Sequence, residues 1–212
     1  MKKYLFDFDG TLVDSMDVFV NVLVEILDEE KISYGSEMIK ILVPLGLAGI
    51  ANYFVELGVK GTAEEIMERI MVPMREEYKN NIPAKENVIE TLKKLKEQGA
   101  SINILTASPH QTLDPCARRI GLFELCDNVW SCDDFGTTKA DSEIYKMAAQ
   151  RLGVTPAEVV FIDDNISADK TAKQAGMKVI GIYDKYSEQF ADEMKEVCDG
   201  YIYNIAELLE TI

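Results

Sequence analysis

Histidine and cysteine, the residues that most often hold zinc, are scarce in this sequence. Of its 212 residues one is a histidine, His110, and four are cysteines: Cys116, Cys126, Cys132 and Cys198. No pair of cysteines has the C-x-x-C spacing of a zinc cage, which argues against a structural zinc site. Few, irregularly spaced thiols are typical of reduced cysteines, so we expect a cytoplasmic protein.

Basic residues are few relative to acidic ones. The 22 Lys and Arg stand against 37 Asp and Glu, which gives a formal net charge of −15 at pH 7. Such a chain repels a phosphate backbone, so we expect no nucleic-acid partner. The acidic excess is densest over residues 14–83, with 13 acidic and 6 basic residues, so a highly charged substrate matches that segment poorly.

Long hydrophobic runs are missing as well. The longest, Ile41–Ala51, is interrupted by a proline and two glycines and falls short of the about 20 apolar residues that span a bilayer. Near the amino terminus only three apolar residues separate Lys3 from Asp7, whereas a secretion signal needs about 7–15. We therefore expect neither a membrane partner nor secretion.

Strand and helix patterns alternate through most of the chain. Short apolar runs predict strands at residues 4–8, 102–105, 129–131, 159–162 and 178–182, with helices between them that end at glycines. This repeating strand–helix unit predicts an α/β fold with a doubly wound parallel sheet. Residues 201–212 predict a final short strand and helix.

One segment interrupts the alternation. Apolar residues recur at helical spacing over residues 19–27, 39–57 and 64–78, with no strand pattern between them. We predict an α/β catalytic core of residues 1–13 and 84–212, and an all-helical cap of residues 14–83 inserted after the first strand. Because ligands bind beyond the carboxyl ends of strands in open α/β sheets, we expect the insertion to cover the site.

Chemically active side chains follow the ends of four predicted strands. They are Asp7 and Asp9, Thr106, Lys139, and the pair Asp163 and Asp164. In a parallel sheet the carboxyl ends of the strands share one edge, so these groups should meet there. Clustered carboxylates cannot all ionise without a cation. Oxygen ligands favour a hard divalent ion, which predicts Mg²⁺.

This set of groups is suited to phosphoryl transfer. A metal ion and Lys139 would neutralise the phosphoryl oxygens, so that the carboxylate of Asp7 could attack phosphorus and form an aspartyl-phosphate. Asp9 points the same way from the strand end and can protonate the leaving oxygen, then deprotonate the attacking water. The hydroxyl of Thr106 would hold a further oxygen.

Four motifs carry a family resemblance. They are DFDGTLVDS from residue 7, ILTAS from residue 104, Lys139 followed by ADSEIY, and FIDDNISAD from residue 161. In this order they closely resemble the motifs of the haloacid-dehalogenase (HAD) superfamily, in its phosphoglycolate-phosphatase and beta-phosphoglucomutase branch. The resemblance covers essentially the whole chain. It implies a Rossmann-like core, a helical C1-type cap and an Mg²⁺-dependent phosphatase for a small phosphorylated metabolite, phosphoglycolate-like or a sugar phosphate.

The resemblance also implies a role for each matching residue. Asp7 matches the nucleophile and a metal ligand, and Asp9 the general acid and base whose backbone carbonyl also meets the metal. Thr106 and the amide of Ala107 match the phosphate-binding second motif, and Lys139 the third.

The fourth motif supplies the remaining metal ligands. Asp164 matches the direct Mg²⁺ ligand, Asp163 a ligand or an outer partner, and Asp169 an acidic residue that orients the others. The family's common Lys-Pro pair is Lys139-Ala140 here, which removes a rigid turn but keeps the ammonium. Ser108, His110 and Gly46 are candidate substrate contacts. The other interpretation of His110 is a surface residue at the start of a helix.

Three other activities stand beside the phosphatase. Dehalogenases of the superfamily lack the second aspartate, so Asp9 argues against that reaction. A sugar-phosphate mutase usually has a cation in the cap loop, whereas residues 43–50 carry no charge, which favours a phosphatase but leaves the mutase open. A phospho-aspartate signalling receiver shares the acidic pocket but orders its motifs differently. The oligomeric state is not predicted.

Overall fold

The computed structural model describes residues 1–210, with Ser36 and Pro44 described by their backbone alone. Thr211 and Ile212, the end of the predicted final helix, lie outside the described residues. The chain forms two compact units: Met1–Asp14 together with the chain from Pro83 onward, and Ser15–Ile82. We call the first the core and the second the helical unit.

The described part of the core contains one six-stranded parallel sheet in the order β3-β2-β1-β4-β5-β6. Its strands are β1 (Lys3–Phe6), β2 (Ser101–Thr106), β3 (Asn128–Ser131), β4 (Val159–Asp163), β5 (Lys178–Ile182) and β6 (Gly200–Ile202). The first strand lies between β2 and β4, so the loops that follow these three strands come together at one edge.

Helices join the strands of the core. They are α5 (Val88–Glu97), α6 (His110–Arg119), α7 (Ser142–Arg151), α8 (Ile166–Gln174) and α9 (Ala191–Val197). The predicted α/β class, a doubly wound parallel sheet with a helical insertion, is confirmed. After β6 the described chain forms a short 3₁₀ helix, Ile205–Leu209, where the final helix was predicted.

Three predicted strand ends need correction. The first strand ends at Phe6 and not at Phe8, because the Phe8 carbonyl accepts hydrogen bonds from the amides of Leu12 and Val13 and the chain has already turned. Thr106 and Asp163 belong to their strands instead of following them, since they pair in register with Ser131 and Gly181.

Large apolar side chains fill both faces of the sheet. On one face Phe161 of β4 packs edge to face against Tyr145 of α7, with ring centroids 5.1 Å apart. Tyr4 and Phe6, two residues apart on β1, share a face, and their ring centroids lie 5.9 Å apart. Leu5, which lies between them and pairs with Phe161, is also fully buried, so both faces of the central strand are buried, as expected for a parallel sheet.

The helical unit contains α1 (Met16–Glu29), α2 (Ser36–Leu42), α3 (Gly46–Glu56) and α4 (Ala63–Asn80). The helical pattern of residues 39–57 is not one helix: a 3₁₀ turn at Val43–Leu45 divides it, because Gly46 has φ +66°, which an α-helix cannot continue through. Described residues 15–82 include no strand, as predicted. Among the described residues no helix combines the length and apolarity needed to cross a membrane.

Replacing a fully buried ring tests the packing of the sheet. Phe161→Ala should lower the free energy of unfolding by about 3–5 kcal/mol, because it leaves a cavity under α7. Urea denaturation followed by the fluorescence of Trp130, the one tryptophan of the chain, reports on the core. Tyr203→Ala is the control, since Tyr203 is 60% exposed and its loss should cost far less. Equal losses would contradict the proposed packing.

Candidate active site

Three aspartates meet where β1 and β4 end. The amide of Asp7 donates to the carbonyl of Ile162 at 2.8 Å, which keeps Asp7 in line with the neighbouring strand. One carboxylate oxygen each of Asp7, Asp163 and Asp164 lies within 4.8 Å of the others, and all three residues are buried. The sheet thus brings together residues about 155 positions apart in the sequence, as the parallel topology predicts.

Lys139 joins this group from the loop before α7. Its Nζ donates to the carboxylate of Asp7 and lies 2.8 Å from Oδ2 of Asp163. The hydroxyl of Tyr145 donates to the Lys139 carbonyl at 3.2 Å, which fixes the backbone of this loop. The structure therefore places the predicted lysine between two of the predicted carboxylates.

The charge of this cluster is unbalanced. Burial raises the pKa of Asp7 to about 7, and the nearby carboxylates of Asp163 and Asp9 add to the shift while Lys139 opposes it. Burial, with Asp163 and Asp7, also raises the pKa of Asp164. Burial alone would lower the pKa of Lys139, but the two carboxylates outweigh it and raise that pKa.

Lys139 thus contacts two of the three buried carboxyl groups, those of Asp7 and Asp163. A hard divalent cation would offset the remaining charge, and carboxylate oxygens are the ligands that such an ion prefers. The donor set therefore fits a metal of this class.

A tight turn brings the chain after β1 against Asp164. Gly10 has φ +78°, and a Cβ there would lie 2.5 Å from Oδ2 of Asp164. The hydroxyl of the following residue, Thr11, donates a hydrogen bond to Oδ1 of Asp164 at 2.9 Å. Neither residue was singled out from the sequence, although both lie inside the DFDGT motif that marked Asp7 and Asp9.

The loop after β2 connects to Asp9. The hydroxyl of Ser108 donates to Oδ2 of Asp9 at 2.6 Å, and the Ser108 amide donates to Oγ1 of Thr106 at 3.0 Å. Thr106 is buried, and Ala107 between them is exposed. Of the candidate substrate contacts, Ser108 is thus the one that the structure connects to a predicted catalytic residue.

His110 and Gly46, the other two candidate substrate contacts, have different surroundings from Ser108. Both ring nitrogens of His110 lie near carboxylates, Nδ1 at 2.7 Å from Asp114 and Nε2 at 2.9 Å from Asp134. This arrangement favours the interpretation of His110 as the first residue of a surface helix. Gly46 begins α3 in the helical unit, and its contact with a substrate stays a prediction.

Asp169 is the most buried acid of the fourth motif. Its side chain is fully buried, Oδ2 accepts a hydrogen bond from the Cys198 thiol at 3.3 Å, and Oδ1 has no hydrogen-bond partner among the described residues. Burial, with the charge of Asp163, raises its pKa. Its role in orienting the other acids stays a prediction.

Comparison with known proteins identifies the family. Residues 4–182 match the sequence profile of the haloacid dehalogenase-like hydrolases. The chain belongs to this family. The match runs from the second residue of β1 through the helical insertion to the end of β5, and so includes β2, β3 and β4.

Relatives and solved structures agree with this assignment. The chain is 30% identical over 200 residues to "Putative phosphatase YhcW" of Bacillus subtilis strain 168, covering 87% of this chain and 84% of the relative. It is 28% identical over 179 residues to the pyrophosphatase PpaX of Bacillus velezensis, covering 84% and 81%.

The fold is shared with a crystal structure described as a "predicted phosphoglycolate phosphatase" from Haemophilus somnus 129PT. The TM-score is 0.83 at 20% identity, and the match covers 100% of this chain and 97% of the other. The predicted superfamily and enzyme class, a HAD phosphatase, are confirmed.

Substitution of Gly10 tests the close approach to Asp164. Gly10→Ala should lower the free energy of unfolding by more than Gly121→Ala, whose φ of +77° is nearly the same but whose Cβ would meet nothing within 4 Å. The control carries the left-handed strain of about 1–2 kcal/mol. Displacing Asp164 should add about 1–3 kcal/mol. Equal losses in urea denaturation would show that Asp164 does not restrict this position.

The two carboxylates at His110 predict a pH-dependent contribution to stability. The hydrogen bond to Asp114 is the main reason that the pKa of His110 is raised, against a smaller effect of burial, and Asp134 adds to it. The stabilisation is complete below the unfolded pKa of about 6.5 and is lost as pH rises through the folded pKa.

His110→Gln should therefore lower the free energy of unfolding more at about pH 5.5 than at about pH 9. Urea denaturation at both pH values measures the difference. In an Asp114→Asn background the same substitution should show a smaller pH effect. A loss that does not change with pH would contradict this assignment.

Proposed function

We propose that this HAD-family phosphatase is Mg²⁺-dependent and hydrolyses a phosphate monoester of a small metabolite by way of a phosphoryl group carried on Asp7. The arrangement of Asp7 carries this proposal. Its carboxylate lies at the end of the central strand, in contact with Lys139 and beside the carboxylates of Asp163 and Asp164. An anionic nucleophile, a cation and further metal-binding oxygens are thereby held together.

The carboxylates of Asp7, Asp163 and Asp164 would hold the ion, together with the backbone carbonyl of Asp9. When bound, the ion neutralises charge on the phosphoryl oxygens and so lowers the barrier to attack by a carboxylate. The fit rests on the chemistry of the cluster, in which three buried carboxyl groups lie together and Lys139 pairs with two of them. Binding of a cation would also keep Asp7 ionised at neutral pH, against its raised pKa.

Asp7 and Asp9 would divide the reaction between them. A carboxylate oxygen of Asp7 attacks phosphorus, and the bond from phosphorus to the leaving oxygen breaks as Asp9 gives that oxygen a proton. Water then attacks the phosphorus, Asp9 takes its proton, and the bond to Asp7 breaks to release inorganic phosphate. The hydrogen bond from Ser108 would keep the Asp9 side chain in position during both steps.

Lys139, Thr106 and Ala107 would bind the phosphoryl oxygens. The Nζ of Lys139 has three donor hydrogens, and the contacts to Asp7 and Asp163 account for two of them. The third is available for an oxygen of the substrate. The hydroxyl of Thr106 and the amide of Ala107 lie at the end of β2, beside β1, where they can donate to the remaining oxygens.

The substrate is proposed to be small and to carry one phosphate, such as phosphoglycolate or a sugar phosphate. The charge of −15 and the densely acidic helical segment support this, because they disfavour nucleic acid and polyphosphates. In this proposal the helical segment serves as the cap, and its loop around Gly46 contacts the substrate. The four cysteines are free thiols, which supports a cytoplasmic location.

Removal of the nucleophile tests the proposal. A panel of phosphoglycolate, sugar phosphates and pyrophosphate should include an ester that the wild type hydrolyses with Mg²⁺ present and not after chelation. Asp7→Asn should lower kcat by about a thousandfold or more, because the amide is a poor nucleophile. Release of inorganic phosphate measures both effects.

Asp192→Asn is the matched control, because it removes one charge from a fully exposed side chain of α9 and should leave kcat unchanged. Hydrolysis that survives Asp7→Asn, or that ignores chelation, would contradict the proposal. A bisphosphate that accelerates isomerisation of a sugar monophosphate would identify a mutase instead.

A further inference from the structure

A lysine and an aspartate that no sequence motif marks lie beside the Gly10 turn. Lys85 follows the return of the chain to the core at Pro83, and Asp184 lies two residues beyond β5. The Nζ of Lys85 lies 2.7 Å from Oδ2 of Asp184, and it also donates to the carbonyl oxygen of Gly10. The two side chains are only 20% and 4% exposed, so this is a largely buried ion pair.

Asp184 is fixed by the turn that it begins. Its Oδ1 accepts a hydrogen bond from the Tyr186 amide at 2.9 Å, and its carbonyl accepts from the amide and the hydroxyl of Ser187, both at 3.1 Å. One carboxylate oxygen of Asp184 is thus held by a backbone amide of the turn, and the other accepts the hydrogen bond from Lys85.

The backbone of Lys85 is fixed as well. Its amide donates to the carbonyl of Leu12 at 2.9 Å, and two residues earlier in the chain the carbonyl of Pro83 accepts a hydrogen bond from the amide of Asp14 at 3.0 Å. The two stretches of chain where the core sequence is interrupted are therefore paired. The backbone that carries the Lys85 side chain is thus fixed, and the ammonium contacts both the Gly10 carbonyl and Asp184.

The Gly10 turn connects this pair to a proposed metal ligand. The carbonyl that Lys85 binds belongs to the peptide between Gly10 and Thr11, and the hydroxyl of Thr11 donates to Oδ1 of Asp164 at 2.9 Å. A shift of that peptide would move the Thr11 hydroxyl or bring the Gly10 backbone closer to Asp164, which a Cβ at Gly10 would already meet at 2.5 Å.

The geometry points to Lys85 and Asp184 as positioning residues that orient Asp164 and thereby set the affinity of the divalent-cation site; this inference rests on the proposed function. In this inference neither residue acts on the substrate: Asp184 holds Lys85, Lys85 holds the Gly10 carbonyl, and the charges of both also act on Asp164. A buried ion pair contributes little net stability compared with apolar side chains of similar size, so its value here lies in the geometry it imposes. Partners that orient metal ligands commonly affect metal affinity by about 10–100-fold.

Calorimetric titration of the substrate-free protein with Mg²⁺ alone tests the inference. Lys85→Met and Asp184→Asn should each weaken Mg²⁺ binding by about tenfold or more. For Lys85→Met this is opposite to the effect of charge alone, because removal of a positive charge near Asp164 would favour a bound cation. The double variant should bind no more weakly than the weaker single variant, because the two residues act as one unit. Lys85→Arg keeps a cationic donor, so this variant should retain most of the wild-type affinity for Mg²⁺.

Lys96→Met is the matched control. The Nζ of Lys96 also bridges a backbone carbonyl and a carboxylate, at 2.8 Å from the oxygen of Leu125 and 3.2 Å from Oδ1 of Asp127. It lies at the end of α5 and has no hydrogen bond to the Gly10 turn among the described residues. Mg²⁺ binding should stay unchanged in this variant.

Unchanged Mg²⁺ affinity and unchanged kcat/KM in folded Lys85→Met and Asp184→Asn, with a lower unfolding midpoint only, would overturn the inference. If Lys85→Met does not fold, Asp184→Asn decides, because asparagine keeps the acceptor for the Tyr186 amide. A wild type that neither binds Mg²⁺ nor requires it would contradict the proposed function together with the inference. Normal wild-type behaviour with normal variants would contradict the inference alone.

Discussion

Crowding of buried carboxyl groups at the end of the central strand is the constraint on which the rest of the structure depends. One carboxylate oxygen each of Asp7, Asp163 and Asp164 lies within 4.8 Å of the others, and Lys139 forms ion pairs with two of the three residues, Asp7 and Asp163. Ionised carboxylates at this separation repel one another strongly in a buried site. They can be kept together only if the backbone holds them firmly and a cation shares their charge.

The parallel sheet supplies the firm backbone. Because β1 and β4 are paired in register up to Phe6 and Ile162, the residues that follow them leave the sheet side by side. Asp163 completes β4, and the Asp7 amide continues the hydrogen bonding by one residue. Both faces of these strands are packed with large apolar side chains, so the strand ends cannot move apart without opening the core.

Contacts around the cluster then restrict each acid separately. Thr11 holds Asp164, Ser108 holds Asp9, and Lys139 holds Asp7 and Asp163. These partners come from different loops, so the geometry of the site depends on several loops at the carboxyl ends of the strands and not on a single motif. The Lys85 and Asp184 pair extends the same arrangement to the end of β5. A site built in this way is preorganised, which is what phosphoryl transfer needs.

The sequence by itself determined the class of fold, the helical insertion and the acids that meet at the site. Hydrophobic periodicity reveals the strands and helices, and the motif residues are found at or near the ends of the predicted strands. Periodicity did not predict the last residues of β1, β2 and β4 correctly, because hydrogen bonding to a neighbouring strand decides where a strand ends. Only the tertiary structure showed that both nitrogens of His110 are engaged, that Thr11 bonds to Asp164, and that Lys85 reaches Asp184. The contacts of His110 with Asp134, Lys85 with Asp184 and Thr11 with Asp164 join residues 24, 99 and 153 positions apart, and no local pattern encodes such a distance.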